Sequence, residues 1–110
     1  MSILHIVMFQ FKPSISTTQI HNICTNMLSL SQKCLHPESQ QPYVKSYGGG
    51  KDTSPEGLQG GLTHAFISEF QSEEDRTYYL QRDPAHLAFV ASLDGVVEQV
   101  RVMDFESGKF

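Results

Sequence analysis

Ile3 to Lys12 reads Ile-Leu-His-Ile-Val-Met-Phe-Gln-Phe-Lys, and Pro13 stops it. The stretch is rich in β-branched and aromatic residues, which predicts a strand. Its alternation places Ile3, His5, Val7, Phe9 and Phe11 on one face and Leu4, Ile6 and Met8 on the other. Both faces are apolar, so both need cover.

Outward from that strand, Thr17 to about Cys34 follows a helical period. Ile20, Ile23, Cys24, Met27, Leu30 and Cys34 fall on one stripe, with Ser16 or Thr17 as cap and His36-Pro37 as the stop. Tyr43 to Tyr47 reads as a short strand. The chain from Gly48-Gly49-Gly50 to Gly61 is rich in Gly, Pro, Asp, Ser and Thr and reads as a long, mobile loop. Gly61 to Phe70 is a second clear strand, with His64, Phe66, Ser68 and Phe70 on one face. Ser72 caps a helix whose first turn is acidic and which runs to about Gln81. Asp83 caps the next, with Pro84 at its first position, Leu87, Val90, Ala91 and Leu93 as its inner stripe, and Asp94-Gly95 as its end. Val96 to Phe105 is the last strand.

The order is therefore β-α-β-β-α-α-β, which predicts an α+β, ferredoxin-like protomer with a four-stranded antiparallel sheet and its helices on one face. The 110 residues fit one domain, 1–110. A chain this short has a thin stability margin. Its helices leave one face of the sheet open, and a second copy packed sheet to sheet as a homodimer is the most economical cover.

Composition excludes several functions. There are 12 acidic and 8 basic side chains, a net charge of −4 and no long run of either sign. Nucleic-acid and anionic-membrane binding, which need clustered Lys and Arg, are not expected. No apolar stretch reaches membrane-spanning length and the first residues do not resemble a secretory leader, so the expected location is cytoplasmic. Cys24 and Cys34 lie ten apart in a helical stretch, about 15 Å by helical rise, beyond disulfide reach and matching no zinc spacing. They read as small buried apolar residues. Gly48-Gly49-Gly50-Lys51 lacks the spacing of a phosphate loop, and no local pattern supports a nucleophilic serine or cysteine. A flexible lid or a dimer-contact loop fits that segment better.

The histidines carry the chemistry. His86 is the third residue after an Asp N-cap, where the helix dipole disfavours imidazolium and keeps the ring able to accept a proton. Asp83 pulls the other way if its carboxylate reaches the ring rather than backbone N–H groups. The plainer alternative is that His86 packs against the sheet. His5 and His64 each sit in the middle of an apolar strand, either as satisfied core residues or as the polar lining of a pocket on neighbouring strands. If the three met, a metal would come into question, but no carboxylate or fourth ligand accompanies them, so no metal and no cofactor are expected. Of Tyr78 and Tyr79 only one can face inward, to polarise a carbonyl or to fill the core. Phe66, Phe89 and Met27 either line the pocket or fill it. His21 and His36 read as surface or loop residues.

His5-Ile6-Val7, Thr63-His64-Ala65-Phe66 and Asp83-Pro84-Ala85-His86 with Phe89-Val90 together resemble the stress-responsive dimeric α/β-barrel (Dabb) family, over nearly the whole chain. Gly48-Gly49-Gly50 and Ser54-Pro55-Glu56-Gly57 resemble its fungal members. The resemblance implies a ferredoxin-like protomer that pairs into a barrel-shaped dimer. The family's best-understood activity is that of olivetolic acid cyclase, a cofactor-independent polyketide cyclase working by intramolecular aldol condensation. By similarity His86 takes the catalytic histidine's place and His5 and His64 take pocket positions; Phe66 and Phe89 are read beside them as substrate-binding residues for a hydrophobic or polyketide-like ligand. The catalytic tyrosine falls on Tyr79 when counted from Ser72, and on Leu80 when counted back from His86. The other function that membership allows is a non-catalytic stress-responsive dimer that is structural or holds a ligand.

Overall fold

Strand β1 (Ile3–Phe11) alternates strictly between buried and half-buried residues in the computed structural model, which describes residues 2–110. Ile3, His5, Val7, Phe9 and Phe11 are buried against the helices, while Leu4, Ile6, Met8 and Gln10 are half-buried on the opposite face. Helix α1 (Thr17–Lys33) starts at Ser16, whose hydroxyl accepts from the Gln19 N–H while the Gln19 side chain returns to the Ser16 N–H, a reciprocal capping box. It buries Ile23, Met27 and Leu30, with Ile20 and Cys24 partly covered. Cys34 is fully buried but caps the helix rather than continuing it.

Strands β2 (Lys45–Lys51), β3 (His64–Phe70) and β4 (Val97–Phe105) complete the sheet, and helices α2 (Glu73–Gln81) and α3 (Pro84–Ser92) fill the β3–β4 connection. The strand order is β2-β3-β1-β4 with every pair antiparallel, so the fold is ferredoxin-like α+β with β1 and β3 at its centre. No helix of the described residues is long and apolar enough to cross a membrane.

Three expectations are corrected. The triple glycine lies inside β2 and not in a loop. A Cβ on Gly49 would stand 2.2 Å from Cδ1 of Phe66, its partner across the β2–β3 ladder, so glycine here makes room for a core ring. The connection that follows is pinned at several points rather than slack: Gln59 Nε2 donates to Asp52 Oδ2 and to the Ser54 carbonyl, and Gln99 Nε2 donates to the Gly60 carbonyl and to Gln10 Oε1. Third, α3 turns Phe89 and Leu93 inward with Ala85 partly covered, leaving Leu87 and Val90 exposed. Pro-Ala-His-Leu-Ala-Phe-Val-Ala-Ser is apolar almost all round, so its pattern sets no phase, and the largest ring takes the interior.

Candidate functional site

The register across the sheet lays down one polar row on the helix-facing side. Ser46 pairs with Ser68, Ser68 with His5, and His5 with Asp104, one residue from each strand. His5 is buried, and its Nδ1 lies 2.6 Å from Asp104 Oδ1. The other carboxylate oxygen accepts from Arg76 Nη1 at 3.1 Å, linking α2 to the edge strand. The aspartate thus orients the His5 ring and the arginine orients the aspartate.

Above this row sits Tyr79, 1% exposed, while Tyr78 is half-buried and Leu80 is exposed. Of the two positions reached by counting, the inward tyrosine is the one at 79. Its ring stacks on His86 with centroids 3.8 Å apart and 25° between planes, and meets His5 edge-on at 6.0 Å. The first turn of α3 places His86. Asp83 Oδ1 accepts from the N–H groups of Ala85 at 2.9 Å and His86 at 3.4 Å. His86 Nδ1 is 2.8 Å from the Tyr79 carbonyl, which can only accept, so Nδ1 carries the proton and Nε2 the lone pair.

Burial pushes the His86 pKa below the ordinary histidine value and His5 adds to this, against the opposing pull of the Tyr79 carbonyl and the Asp83 carboxylate. Burial also raises the Tyr79 phenol far above its usual range, helped by Cys34 and Asp83. A neutral imidazole able to accept a proton therefore lies against a phenol that stays protonated. That pairing suits removal of a proton from a carbon acid and hydrogen bonding to the oxyanion that results.

His64 lies elsewhere. It pairs with Phe9, four residues along β1 from His5, or about 13 Å at the usual strand rise. Its Nδ1 meets Thr63 Oγ1 at 2.8 Å, its ring lies edge-on to Phe11, and burial followed by the Lys51 charge lowers its pKa. Phe66 and Phe89 are buried and both pack on Phe9. The three histidines do not share one cavity: His5 and His86 meet around Tyr79, and His64 borders a shallow cleft with His21, Cys24 and Lys51. No group of three or more His, Cys, Asp or Glu among the described residues is arranged to hold a metal ion.

Sequence reasoning missed Asp104, Arg76, Ser46 and Ser68. Tyr43 was also missed. Its hydroxyl donates to Asp83 Oδ2 at 2.5 Å, beside the buried thiol of Cys34.

The family model described as the stress responsive A/B barrel domain matches residues 3–107. The stress-response A/B barrel domain-containing protein HS1 of Arabidopsis thaliana is 30% identical over 102 residues, covering 93% of this chain and 86% of that protein. Among solved structures, the hydroxynitrile lyase from Passiflora edulis superimposes with a TM-score of 0.83 at 26% identity, over 99% of this chain and 96% of the lyase. A dimeric ferredoxin-like protein of unknown function from Thermobifida fusca superimposes with a TM-score of 0.72 at 22% identity, over 96% of this chain and 90% of its own, and bears on the fold alone.

Proposed function

Given that the chain belongs to the stress-responsive A/B barrel domain family, we propose that it binds a small carbonyl compound beside Tyr79 and that His86 is the general base of a cofactor-independent, polyketide cyclase-like condensation. Nε2 of His86 takes a proton from a methylene between two carbonyls. The resulting carbanion attacks a carbonyl carbon of the same chain, one C–C bond forms, and the new alkoxide recovers a proton from the imidazolium. Tyr79 holds the polarised oxygen, and His5 orients the substrate from the sheet. In this reading Phe66, Phe89 and His64 are pocket residues only to the extent that the interior opens toward them.

The observation that carries the reading is the hydrogen bond from His86 Nδ1 to the Tyr79 carbonyl, which leaves Nε2 as the acceptor. A hydroxynitrile lyase on the same scaffold supports an enzyme. The fungal-type affiliation rests on Gly48-Gly49-Gly50 and Ser54-Pro55-Glu56-Gly57, since the relatives above are plant and bacterial. Two free thiols fit the reducing cytoplasm. The working unit is a homodimer, built on the open sheet face.

The test is incubation of purified protein with linear poly-β-ketone thioesters. Wild type yields a cyclised product, and His86→Ala lowers its rate by at least about 100-fold. Identical product profiles for the two proteins overturn the reading. One observation favours a second function, that of a non-catalytic stress-responsive dimer: the cavity bordered by Tyr79, Ser46, Ser68, Met27 and Phe66 measures only about 20 Å³, room for one water. A thermal-shift screen separates the two, because stabilisation by polyketide-like aromatics requires the cavity to open.

A further inference from the structure

Asp83 is the one buried carboxylate among the described residues, 1% exposed, and none of the ion pairs found among those residues includes it. Its oxygens are nonetheless fully engaged. Oδ1 takes the Ala85 and His86 N–H groups, Oδ2 takes the Tyr43 hydroxyl at 2.5 Å, and the nearby carboxylate helps burial to raise the pKa of the Cys34 thiol. One side chain thereby ties the approach to β2 to the first turn of α3.

Capping alone does not require a charge, since Asn or Ser caps a helix as well as Asp. A charge without a cation is the more expensive choice for a buried position. The groups facing His86 show what the charge serves. They are Tyr79 from α2, stacked on its ring, His5 from β1, edge-on to Tyr79 with Asp104 behind it, and Asp83 at its own helix start, with the buried Cys34 thiol near that carboxylate. Tyr79 and Cys34 stay neutral: burial raises both, the thiol to about 12. His5 opposes a positive charge on His86, and Asp83 favours one.

We propose that Asp83 is a positioning residue that fixes His86 at the start of α3 and supplies the counter-charge for the imidazolium formed when His86 takes its proton. This rests on His86 being the general base. The Tyr43 hydroxyl and the Ala85 and His86 N–H groups are the donors that meet the carboxylate oxygens away from water. When His86 is protonated, the two charges compensate.

The experiment is an NMR titration of the His86 ring in wild type, Asp83→Asn and Tyr43→Phe, with turnover of a poly-β-ketone thioester measured on the same samples. Asp83→Asn keeps an oxygen for the two N–H groups and removes the charge. It lowers the His86 midpoint by about one pH unit and lowers kcat about tenfold with KM unchanged. Tyr43→Phe, which keeps the carboxylate and its two backbone hydrogen bonds, leaves the midpoint near that of wild type. The wild-type Asp83 Cγ resonance inflects at the His86 midpoint, a readout that needs no variant to fold. An unchanged midpoint in Asp83→Asn, or no inflection at Cγ, overturns the role of Asp83 even where His86→Ala abolishes turnover. A shifted midpoint in a protein with no turnover keeps the electrostatic pairing and sinks the general-base reading.

Discussion

His86 is kept neutral at the start of α3 chiefly by burial, with the Tyr79 carbonyl and Asp83 pulling against it. Because its folded pKa lies below that of the unfolded chain, about 6.5, the unfolded state binds more protons in the interval between the two. Stability is therefore full above that pH and is lost as pH falls through the lowered folded value. His64 is lowered by burial and Lys51 and adds a loss of the same sign. His86→Asn removes one of the two contributions. Urea unfolding at pH 7 and pH 5 is expected to show a smaller loss in the variant than in wild type, and equal losses would mean that His86 is not buried neutral. The Asp83-to-His86 arrangement was legible in the sequence because capping is local chemistry over four residues. The choice between Tyr79 and Leu80 was not, since it depends on which side of α2 meets the sheet. Asp104 was the least legible, because its bond to His5 joins residues 99 apart and exists only once the β1–β4 register is set.

Composition misled most in the elements where it was least ordinary. Gly48-Gly49-Gly50 carries no strand propensity, yet it supplies three of the seven residues of an edge strand because β3 supplies the ladder and Phe66 needs the space. Gly48, at φ +94°, sits in the irregularity between Ser46 and Gly49 where the register shifts. Gly49→Ala puts a methyl group into the Phe66 ring and against the Ala65 carbonyl at 2.6 Å. Relief means moving Phe66, which packs on Phe9 at the centre of the core. The expected cost is about 1–3 kcal/mol in urea unfolding, whereas a variant as stable as wild type would show that β2 can slide away from β3 without loss. In α3 the error had the opposite origin: an apolar surface all round gave no face to read, and only the size of Phe89 decided it. Strands β1 and β3 and helix α1 were legible because their patterns have one unambiguous period.

Taken whole, the chain is two layers with one of them half dressed. The helices cover the side that bears His5 and Phe9, while the other side presents a row in which Ile6 is flanked by Ile67 and Met103. Ile67 is 40% exposed, Met103 66% and the adjacent Phe105 42%, an apolar surface continuous across three strands. The doubly apolar β1 segment already demanded cover for this side, and no element among the described residues supplies it. A symmetric sheet-to-sheet pairing would bury the row against its own copy. Met103→Glu tests this with little risk to the protomer, because the side chain is largely exposed there. In a dimer the two-fold axis brings two such carboxylates onto the apolar row, where neither finds a partner. Sedimentation equilibrium should give wild type twice the chain mass, with Met103→Glu at the chain mass and an unchanged circular dichroism spectrum. A wild-type protein that stays at the chain mass at every concentration would leave the open face to some other role and remove the dimer from the account.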